Sequence, residues 1–585
     1  MLNAQQEDGY LNINFTRTVP EKRWTNLRDW HEMYNAGHMF EAALAHYELT
    51  GSRRLLDAML KFAKHISLRF GPHRNQSPGY PGHPEIELAL IKLYSCTGEE
   101  FCLDLASYFL SERGNHHGLF FRNEQKARGE DERIIPGSWP SRHSEWYQQA
   151  HDLIVKQGRV EGHAVRVVYL LTALADLAAL GKATDEQILA LWRLWGNMIN
   201  RNASVTGGIG TESQWEGFAR VDYHLPQSTD EGGSYNETCA GIGLLMLADR
   251  LQLLKLDGPG VTDVAERVLY NSSMISGTST DGALFSYENP LASSVHQACK
   301  RFPYFECSCC PPNVLRTAGV LGGYFWAPDC AGIVIHHFFS GQIRSGSLSV
   351  DMRTQYPWRG QVTLAVQGTG TVKVRIPAWS SFESESLDAT TRYASFSAGH
   401  HIFDLNIKPR LIYSHPLTGK HEVALAYGPL IYCLEDVDNQ WIQSNDDLKS
   451  LTIDASILSA LKTSHLVTAQ GQSIVLLHAA GMGRKFILPN DNVGLPERDQ
   501  SSGKHLLLSE EPLDHVFIPY YFRGNRGGKR GSQMRVWIVN RGTAPYSTAG
   551  CDNGAESKLV EKCEPSVGPD AFNLRRTSSY RCVVM

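Results

Sequence analysis

The sequence predicts a multidomain α + β protein, with an (α/α)6 toroid in residues 1–330 followed by an antiparallel β-sandwich region in residues 331–540. Three observations lead to this prediction. A chain of 585 residues is too long for a single hydrophobic core, so several domains are expected. The first part repeats apolar helical segments. Near residue 331 the hydrophobic period changes from helical to alternating.

The helical repeat consists of segments rich in Ala, Leu and Gly, which are apolar around most of their circumference and are therefore predicted to be buried helices. Amphipathic segments at 53–67 and 186–200 fit outer helices, and alternating inner and outer helices are typical of an α/α toroid. A closed six-pair toroid needs one more inner helix, so this one is predicted to be incomplete or to lack an N-terminal portion. The five predicted inner helices begin at Gly37-His38, Gly82-His83, Gly162-His163, Glu237-Thr238-Cys239 and Cys309-Cys310-Pro311.

The second part alternates polar and apolar residues in short runs separated by Gly and Pro, which predicts antiparallel strands. The clearest runs are 371–377 and 402–407, and 533–539 is a late strand. Residues 541–585 are polar and lack periodicity, so they are predicted to be a disordered tail.

Composition narrows the classes of partner. The net charge of −5 lacks the excess of Lys and Arg that binding to nucleic acid requires, so nucleic acid is not a predicted partner. No apolar run approaches the roughly 20 residues that a membrane span requires. The segment 1–7 has neither a basic nor an apolar region of a signal peptide, so the cytoplasm is the favoured compartment.

Adjacent thiols at a predicted helix start are the most reactive groups in the sequence. Pro311 and Pro312 favour the first helical positions, and a thiol just before them lies at the positive end of the helix dipole. Three thiols and one carboxylate suit tetrahedral zinc. The spacing alone does not choose among the thiols, and Cys239 also fits a small buried apolar residue. The candidate ligands are Glu237, Cys239, Cys309 and Cys310, with Cys299 and Cys307 as competitors.

In a toroid the inner helices run parallel, so their starts meet at one rim. His38, His83 and His163 recur at the same position of the repeat, so a polar binding pocket is weighed equally with the alternative of single capping or core histidines. The loop between the third and fourth inner helices offers a general acid. Glu216 is preferred because its neighbours Trp215 and Phe218 would desolvate it. The other carboxylates considered are Glu212, Asp222, Asp230 and Glu231.

Four motifs resemble glycoside hydrolase family 127, which is typified by β-L-arabinofuranosidases. They are Glu237-Thr238-Cys239-Ala240, the run 309–313 (Cys-Cys-Pro-Pro-Asn), Gly37-His38 and the run 215–218. The similarity extends from about Gln5 to Ile538, and the Cys-Cys-Pro-Pro-Asn motif downstream of Glu-Thr-Cys is its most specific part.

The resemblance implies a zinc-dependent retaining exo-hydrolase that releases terminal β-L-arabinofuranose or a related furanoside. It implies Cys309 as the nucleophile and Glu216 as the acid/base. It also implies that Glu237, Cys239, Cys309 and Cys310 hold the zinc, and that the sugar subsite is lined by His38, His83, His163 and Tyr287. Two other functions fit the residues: a non-catalytic carbohydrate-binding or zinc-stabilised protein, and a sugar epimerase or lyase on the same toroid. The second of these leaves the thiols unexplained.

Overall fold

A computed structural model describes residues 2–130, 144–254, 259–293, 300–468, 470–487, 507–508, 512–526 and 533–542. All but the first two residues of the predicted tail lie outside the described residues, as does Cys299. Among the described residues, no helix has the length and apolar character needed to cross a membrane.

In the described ranges, ten α-helices form the N-terminal half, and two short α-helices lie among the later strands. In chain order they are α1 Glu32–Thr50, α2 Arg53–Arg69, α3 Ile86–Thr97, α4 Glu100–Glu112, α5 Leu119–Ala127, α6 Ala164–Ala179, α7 Asp185–Arg201, α8 Thr238–Leu254, α9 Pro259–Asn271, α10 Cys310–Phe325, α11 Asn445–Ser450 and α12 Ile457–Ala460.

The five repeat helices pack side by side in chain order. Helix α1 contacts α3, α3 contacts α6, α6 contacts α8, and α8 contacts α10. Helices α6 and α8 are buried almost all round, whereas α2 and α7 bury one face, as the two predicted kinds of helix require. The row brings the starts of these helices together, and its closure into a toroid stays a prediction.

One predicted helix start is wrong. Helix α1 begins at Glu32, so Gly37 and His38 lie in its second turn. The buried Glu32 carboxylate accepts hydrogen bonds from the Tyr10 hydroxyl and, at 2.7 Å, from the Trp24 backbone N–H. This long-range anchoring extends the helix toward its N-terminus, and the local pattern does not reveal it.

Close packing between α8 and α9 depends on Gly241. A Cβ atom there would lie 2.1 Å from the backbone oxygen of Ser272. We expect Gly241→Ala to destabilise the protein by about 1–3 kcal/mol through overpacking. Gly319→Ala in α10 is the control, because its Cβ would meet nothing within 4 Å and should add about 0.5–1 kcal/mol of stability. Thermal unfolding of the two variants measures both effects, and equal melting temperatures would contradict the packing argument.

The described residues of the C-terminal half form three sheets. Their strands are β1 Trp326–Asp329, β2 Gly332–Ile335, β3 Gly341–Ser345, β4 Leu348–Thr354, β5 Gln361–Gln367, β6 Thr371–Arg375, β7 Tyr393–Phe396, β8 Gly399–Asp404, β9 Pro409–Tyr413, β10 Glu422–Tyr427, β11 Leu430–Glu435, β12 Leu451–Ile453, β13 Lys462–Val467, β14 Ser473–Ile487, β15 Leu507–Leu508, β16 Leu513–Pro519, β17 Met534–Arg535 and β18 Ile538–Asn540.

Two four-stranded sheets, β1-β2-β6-β7 and β3-β4-β5-β8, share one apolar core that includes Ile333, Val350, Leu364 and Val374. The remaining strands form one ten-stranded sheet with an apolar cluster on each face. The prediction of purely antiparallel pairing is wrong for β2–β6 and β12–β18, which are parallel. Between β2 and β6 the chain leaves to build the neighbouring sheet, and such a crossover permits parallel pairing. The sandwich arrangement itself stays a prediction.

The run 533–539 does not form one strand. The Val536 backbone N–H donates to the Leu291 oxygen at 2.9 Å, and the Trp537 N–H donates to the Gln227 side chain at 3.0 Å. Both partners lie in the segment between α7 and α10. The helical part therefore splits the run into β17 and β18 and is joined to the sheet there.

Candidate active site and metal centre

The starts of α8 and α10 place three thiols and a carboxylate together. Glu237 precedes the first residue of α8, Cys239 is the second, and Cys309 and Cys310 span the beginning of α10. One ligand atom from each of the four residues lies within 4.8 Å of all the others. The sulfur of Cys310 is 3.5 Å from that of Cys239 and 3.8 Å from that of Cys309, and Glu237 Oε1 is 3.6 Å from the Cys309 sulfur.

The four groups do not ionise alike. Hydrogen bonds from the thiols of Cys239 and Cys310 lower the pKa of Cys309 far below the usual thiol range. Burial, followed by the negative charge on Cys309, raises the pKa of Glu237. The pKa values of Cys239, through its hydrogen bond with Cys309, and of Cys310, through burial, are also raised. The protein alone therefore favours a single thiolate, at Cys309.

The donor set fits a soft divalent cation. Glu237 is 3% exposed, and its Oε2 atom has no hydrogen-bond partner among the described residues, although a buried carboxylate oxygen is costly to leave unpaired. Three thiols and a carboxylate match the ligands and number of a tetrahedral zinc site. Cys307 is exposed and lies outside this group of four, and Cys299 lies outside the described residues.

The Glu216 carboxylate lies next to the thiols. Its Oε1 atom accepts from the Tyr235 hydroxyl at 2.9 Å and from the Tyr287 hydroxyl at 3.3 Å, and its Oε2 atom is 3.2 Å from His163 Nε2. Oxygen atoms of Glu216 and Glu237 and a nitrogen of His163 lie within 4.8 Å of one another. Glu216 thus lies beside the cluster of three thiols and Glu237, and three side chains hold its carboxylate in place.

Local backbone structure fixes the Glu216 side chain. Its φ of 55° is left-handed, which is uncommon for a residue other than glycine and often marks a functional site. The backbone N–H of Ala164, at the start of α6, donates to the backbone oxygen of Glu216 at 3.0 Å. The backbone N–H of Gly217 donates to the backbone oxygen of Glu212 at 3.2 Å. This short hairpin therefore ties Glu216 to the helix that His163 precedes.

The Tyr287 hydroxyl connects the two parts of the site. It is 3.4 Å from the Cys309 sulfur and donates to Glu216 Oε1 at 3.3 Å. Cys309 and Glu216, predicted as nucleophile and acid/base, are thus in reach of one hydroxyl group.

The three histidines lie in one aromatic row. The ring centre of Tyr34 is 4.5 Å from His38 and 4.5 Å from His83, and the centre of His83 is 5.6 Å from that of His163. Burial lowers the pKa of all three histidines; for His38, burial and then the charge of Arg316 lower it to about 4. These imidazoles are therefore neutral at pH 7. The structure brings together His38, His83, His163 and Tyr287.

Sequence reasoning missed Tyr34 and Tyr235. Tyr34 lies four residues before His38, which places both on one face of α1, but this signal needed the correct helix start. Tyr235 lies two residues before Glu237, in a loop without periodicity.

The other loop candidates have structural roles. Trp215 is buried and donates from its indole N–H to the Phe218 oxygen at 3.1 Å. Three of the four other carboxylates considered have partners elsewhere: Glu212 lies 3.5 Å from His224, Asp222 lies 3.3 Å from Arg201, and Glu231 lies 2.9 Å from Arg535. The fourth, Asp230, is exposed.

Comparison with known proteins agrees with this site. Residues 1–323 match the family model "Beta-L-arabinofuranosidase, GH127 catalytic domain", and residues 409–539 match "Glycoside hydrolase family 127 C-terminal domain". A non-reducing end β-L-arabinofuranosidase of Bifidobacterium longum subsp. longum is 33% identical over 476 residues, which cover 74% of this chain and 70% of that protein.

Solved structures show the same relationship. A GH127 β-L-arabinofuranosidase from Geobacillus stearothermophilus T6 is 34% identical, with a TM-score of 0.79 over 92% of this chain and 84% of the other. A GH127 β-arabinofuranosidase is 28% identical, with a TM-score of 0.72 over 92% and 82% of the two chains.

These matches identify the protein as a glycoside hydrolase, an enzyme that acts on a carbohydrate substrate, and the carboxylate beside the thiol cluster is its candidate active site. This class favours an enzyme of hydrolysis over the non-catalytic and the epimerase or lyase alternatives. The chain belongs to glycoside hydrolase family 127.

Proposed function

We propose that this hydrolase releases terminal β-L-arabinofuranose, or a related furanoside, with retention of configuration. Cys309 is the nucleophile and Glu216 is the acid/base. The observation that carries this proposal is the Tyr287 hydroxyl, which lies 3.4 Å from the Cys309 sulfur and 3.3 Å from Glu216 Oε1. A sugar bound over this hydroxyl meets an attacking sulfur and a proton donor together.

In the first step the Cys309 thiolate attacks the anomeric carbon and the glycosidic C–O bond breaks. Glu216 gives its proton to the departing oxygen, and a C–S bond holds the sugar. In the second step water attacks the anomeric carbon and Glu216 takes its proton. The C–S bond breaks and Cys309 leaves as the thiolate.

Three side chains orient Glu216 for both roles. The hydroxyl groups of Tyr235 and Tyr287 donate to one oxygen, and neutral His163 faces the other. Hydrogen bonds to the charged form stabilise it, so these donors favour the carboxylate that forms after the first proton transfer. His38, His83, His163 and Tyr287 line the sugar subsite in this proposal.

Zinc is the proposed cofactor, held by Glu237, Cys239, Cys309 and Cys310. When bound, the ion would keep the thiols deprotonated and moderate the leaving ability of sulfur. The buried Glu237 Oε2 atom, for which the described part of the chain offers no hydrogen-bond partner, supports this assignment.

The proposed architecture places the catalytic (α/α)6 toroid in residues 1–330 and the β-sandwich region in 331–540. The side-by-side packing of the five inner helices and the shared core of the two four-stranded sheets support this division.

A substrate panel with metal analysis on the same sample tests the function. We expect hydrolysis of 4-nitrophenyl β-L-arabinofuranoside, with little activity on pyranosides. Proton NMR of the first-formed sugar should show the β anomer. An α product, or no hydrolysis of any furanoside by zinc-loaded protein, would contradict the proposal.

Removal of one ligand tests the metal centre. We expect Cys239→Ala to weaken zinc affinity by more than about 100-fold, the upper range for outer partners of metal ligands. Cys102→Ala is the matched control, since Cys102 is an equally buried cysteine in α4, outside the four-residue group. Zinc titration against a competing chelator measures the affinities. Equal zinc affinity in the two variants would contradict the assignment.

A further inference from the structure

A cavity of about 320 Å³, here called the interface cavity, lies between the helical part and the ten-stranded sheet. Its helical wall comes from α7, α9 and the segment 203–207, and its sheet wall comes from β9, β10 and the turn between them. The volume is at the lower end of the range of about 300–1,000 Å³ that is usual for ligand sites. Among the described residues, none of the groups in the proposed mechanism lines this cavity.

Two cationic side chains line the interface cavity and have no ion-pair partner in the described part of the chain. Arg267 of α9 donates to the backbone oxygen of Val205 at 2.9 Å. Lys420, just before β10, donates to the backbone oxygen of Leu225 at 3.3 Å. Both contacts are with neutral carbonyl groups, so they leave the positive charge of each side chain uncompensated.

The two carboxylates of the lining already have other partners. Asp263 pairs with Arg375 and also accepts from the Ala378 backbone N–H at 3.2 Å. The Glu422 carboxylate lies 3.5 Å from Arg535. Each carboxylate is thus neutralised by a guanidinium that does not line the cavity. The lining therefore presents an excess of positive charge.

A further guanidinium lies close to Arg267. Burial and then the charge of Arg267 lower the pKa of Arg410 to about 10, and burial lowers the pKa of Arg267 itself. The charges of Asp263 and Glu266 act in the opposite direction on both groups but do not offset these effects. The Nη2 atom of Arg410 is buried and has no hydrogen-bond partner among the described residues. An anion beside Arg267 would therefore stabilise both guanidinium groups.

Aromatic rings give the interface cavity its second property. Tyr223 and His415 stack with their ring centres 4.4 Å apart and their planes 18° from parallel. Tyr413 of β9 and Trp537 also line the cavity and are half-buried. Aromatic side chains beside a few polar groups are typical of pockets that bind organic ligands. The apolar face of a sugar ring can pack against such side chains.

The two properties together narrow the chemistry of the ligand. A small inorganic anion would compensate Arg267 and Lys420 but would leave the aromatic rings without contacts. A neutral sugar would contact the rings but would leave the buried positive charge without a partner, which is costly. A sugar that carries a carboxylate satisfies both parts of the lining.

We propose that the interface cavity binds an acidic sugar unit, such as a hexuronate, with its carboxylate at Arg267 and Lys420 and its ring against the aromatic side chains. A guanidinium matches the two oxygens of a carboxylate, and such charged hydrogen bonds are stronger than neutral ones. This inference goes beyond the proposed function, because the cavity is separate from Cys309 and Glu216 and the binding does not depend on which sugar is released.

Binding without turnover tests the proposal. In calorimetric titrations of the zinc-loaded, full-length protein, D-galacturonate or D-glucuronate should bind at one site. The neutral counterparts D-galactose and D-glucose should bind at least about 10-fold more weakly, since they lack the charged hydrogen bonds. Inorganic phosphate should also bind more weakly, because it does not contact the aromatic rings. Equal affinity for the neutral sugars, tighter binding of phosphate, or no binding of either uronate would overturn the proposal.

Variants of the lining connect this binding to the cavity. Arg267→Met and Lys420→Met should each weaken uronate affinity by about 10-fold or more. Arg193→Met is the matched control: its guanidinium likewise donates to backbone oxygens, those of Gln157 and Val155, but does not line the cavity. Lys420→Met keeps the test decisive if Arg267→Met does not fold, because Lys420 lies in the turn between two strands. Full affinity in Lys420→Met, or an equal loss in Arg193→Met, would overturn the assignment.

Nitrogen NMR of tryptophan-labelled protein identifies the place of binding. The indole resonance of Trp537, assigned by its loss in Trp537→Phe, should shift when D-galacturonate is added. The resonance of Trp215, the neighbour of Glu216 in the chain, should not. A shift of Trp215 without a shift of Trp537 would place the uronate in the active site and overturn the proposal. Failure of the proposed function would appear separately, as absence of furanoside hydrolysis by protein that still binds the uronate.

Discussion

Replacement of Cys309 by alanine is expected to lower kcat/KM for 4-nitrophenyl β-L-arabinofuranoside by about 10⁴-fold or more, as loss of a nucleophile does in other covalent enzymes. The physical reason is the chemistry of the site. Cys309 is the one thiol of the cluster whose pKa is lowered, and its sulfur lies beside Tyr287, which contacts Glu216.

The neighbouring thiol supplies the matched control. Cys310 is completely buried, which leaves no approach for a sugar and fits a zinc ligand and not an attacking group. Cys310→Ser and Cys309→Ser each change one sulfur of the cluster to oxygen. At full zinc loading, Cys309→Ser should lose far more kcat than Cys310→Ser. An electrophilic L-arabinofuranose analogue should label Cys309, as read by peptide mass spectrometry. Equal losses of kcat in the two variants, or labelling of a residue other than Cys309, would show that Cys309 is not the nucleophile.

The second large effect is expected for Glu216→Gln, which should lower kcat by about 10²–10⁴-fold on substrates with poor leaving groups. A 2,4-dinitrophenyl glycoside needs no protonation to depart, so its first step should be nearly unaffected. The second step then becomes limiting because no base activates water. Added azide needs no base, and it should restore turnover and give β-L-arabinofuranosyl azide.

Glu212→Gln is the control for Glu216. Both residues belong to the same hairpin, but the Glu212 carboxylate lies 3.5 Å from His224 and not at the thiols. Steady-state rates with both leaving groups, with and without azide, distinguish the two variants. Equal loss in Glu212→Gln, or a Glu216→Gln loss that is independent of the leaving group, would contradict the acid/base role.

The sequence predicted much of the site because its residues mark helix starts. The Gly-His repeat and the Cys-Cys-Pro-Pro run locate His83, His163, Cys309 and Cys310 within three residues of a helix start, and neighbouring helices bring these starts together. Choosing Glu237 and Cys239 over Cys307 needed three-dimensional distances, since several thiols have similar spacing.

What the sequence did not reveal depends on contacts between distant segments. The start of α1 is set by Tyr10 and Trp24, so His38 was placed at a helix end instead of inside the helix. Glu85, just before α3, contacts Arg316 of α10, and Tyr34 of α1 packs against His83, just before α3. No local sequence pattern reveals these contacts. Three strands of the neighbouring sheet, β3, β4 and β5, lie between β2 and β6 in the chain, and no local pattern encodes the parallel pairing of β2 with β6.

The contacts between β17–β18 and the loop before α8 have a practical consequence for protein engineering. Gln227 and Glu231 lie between Glu216 and Glu237 in the chain, and they bind Trp537 at 3.0 Å and Arg535 at 2.9 Å. The final strands thus hold the segment that carries the proposed acid/base Glu216 and the proposed zinc ligand Glu237. The helical half therefore cannot be exchanged as an independent unit, because its transfer onto a foreign sheet would remove these contacts. Any chimera should include residues 533–540 together with the helical half.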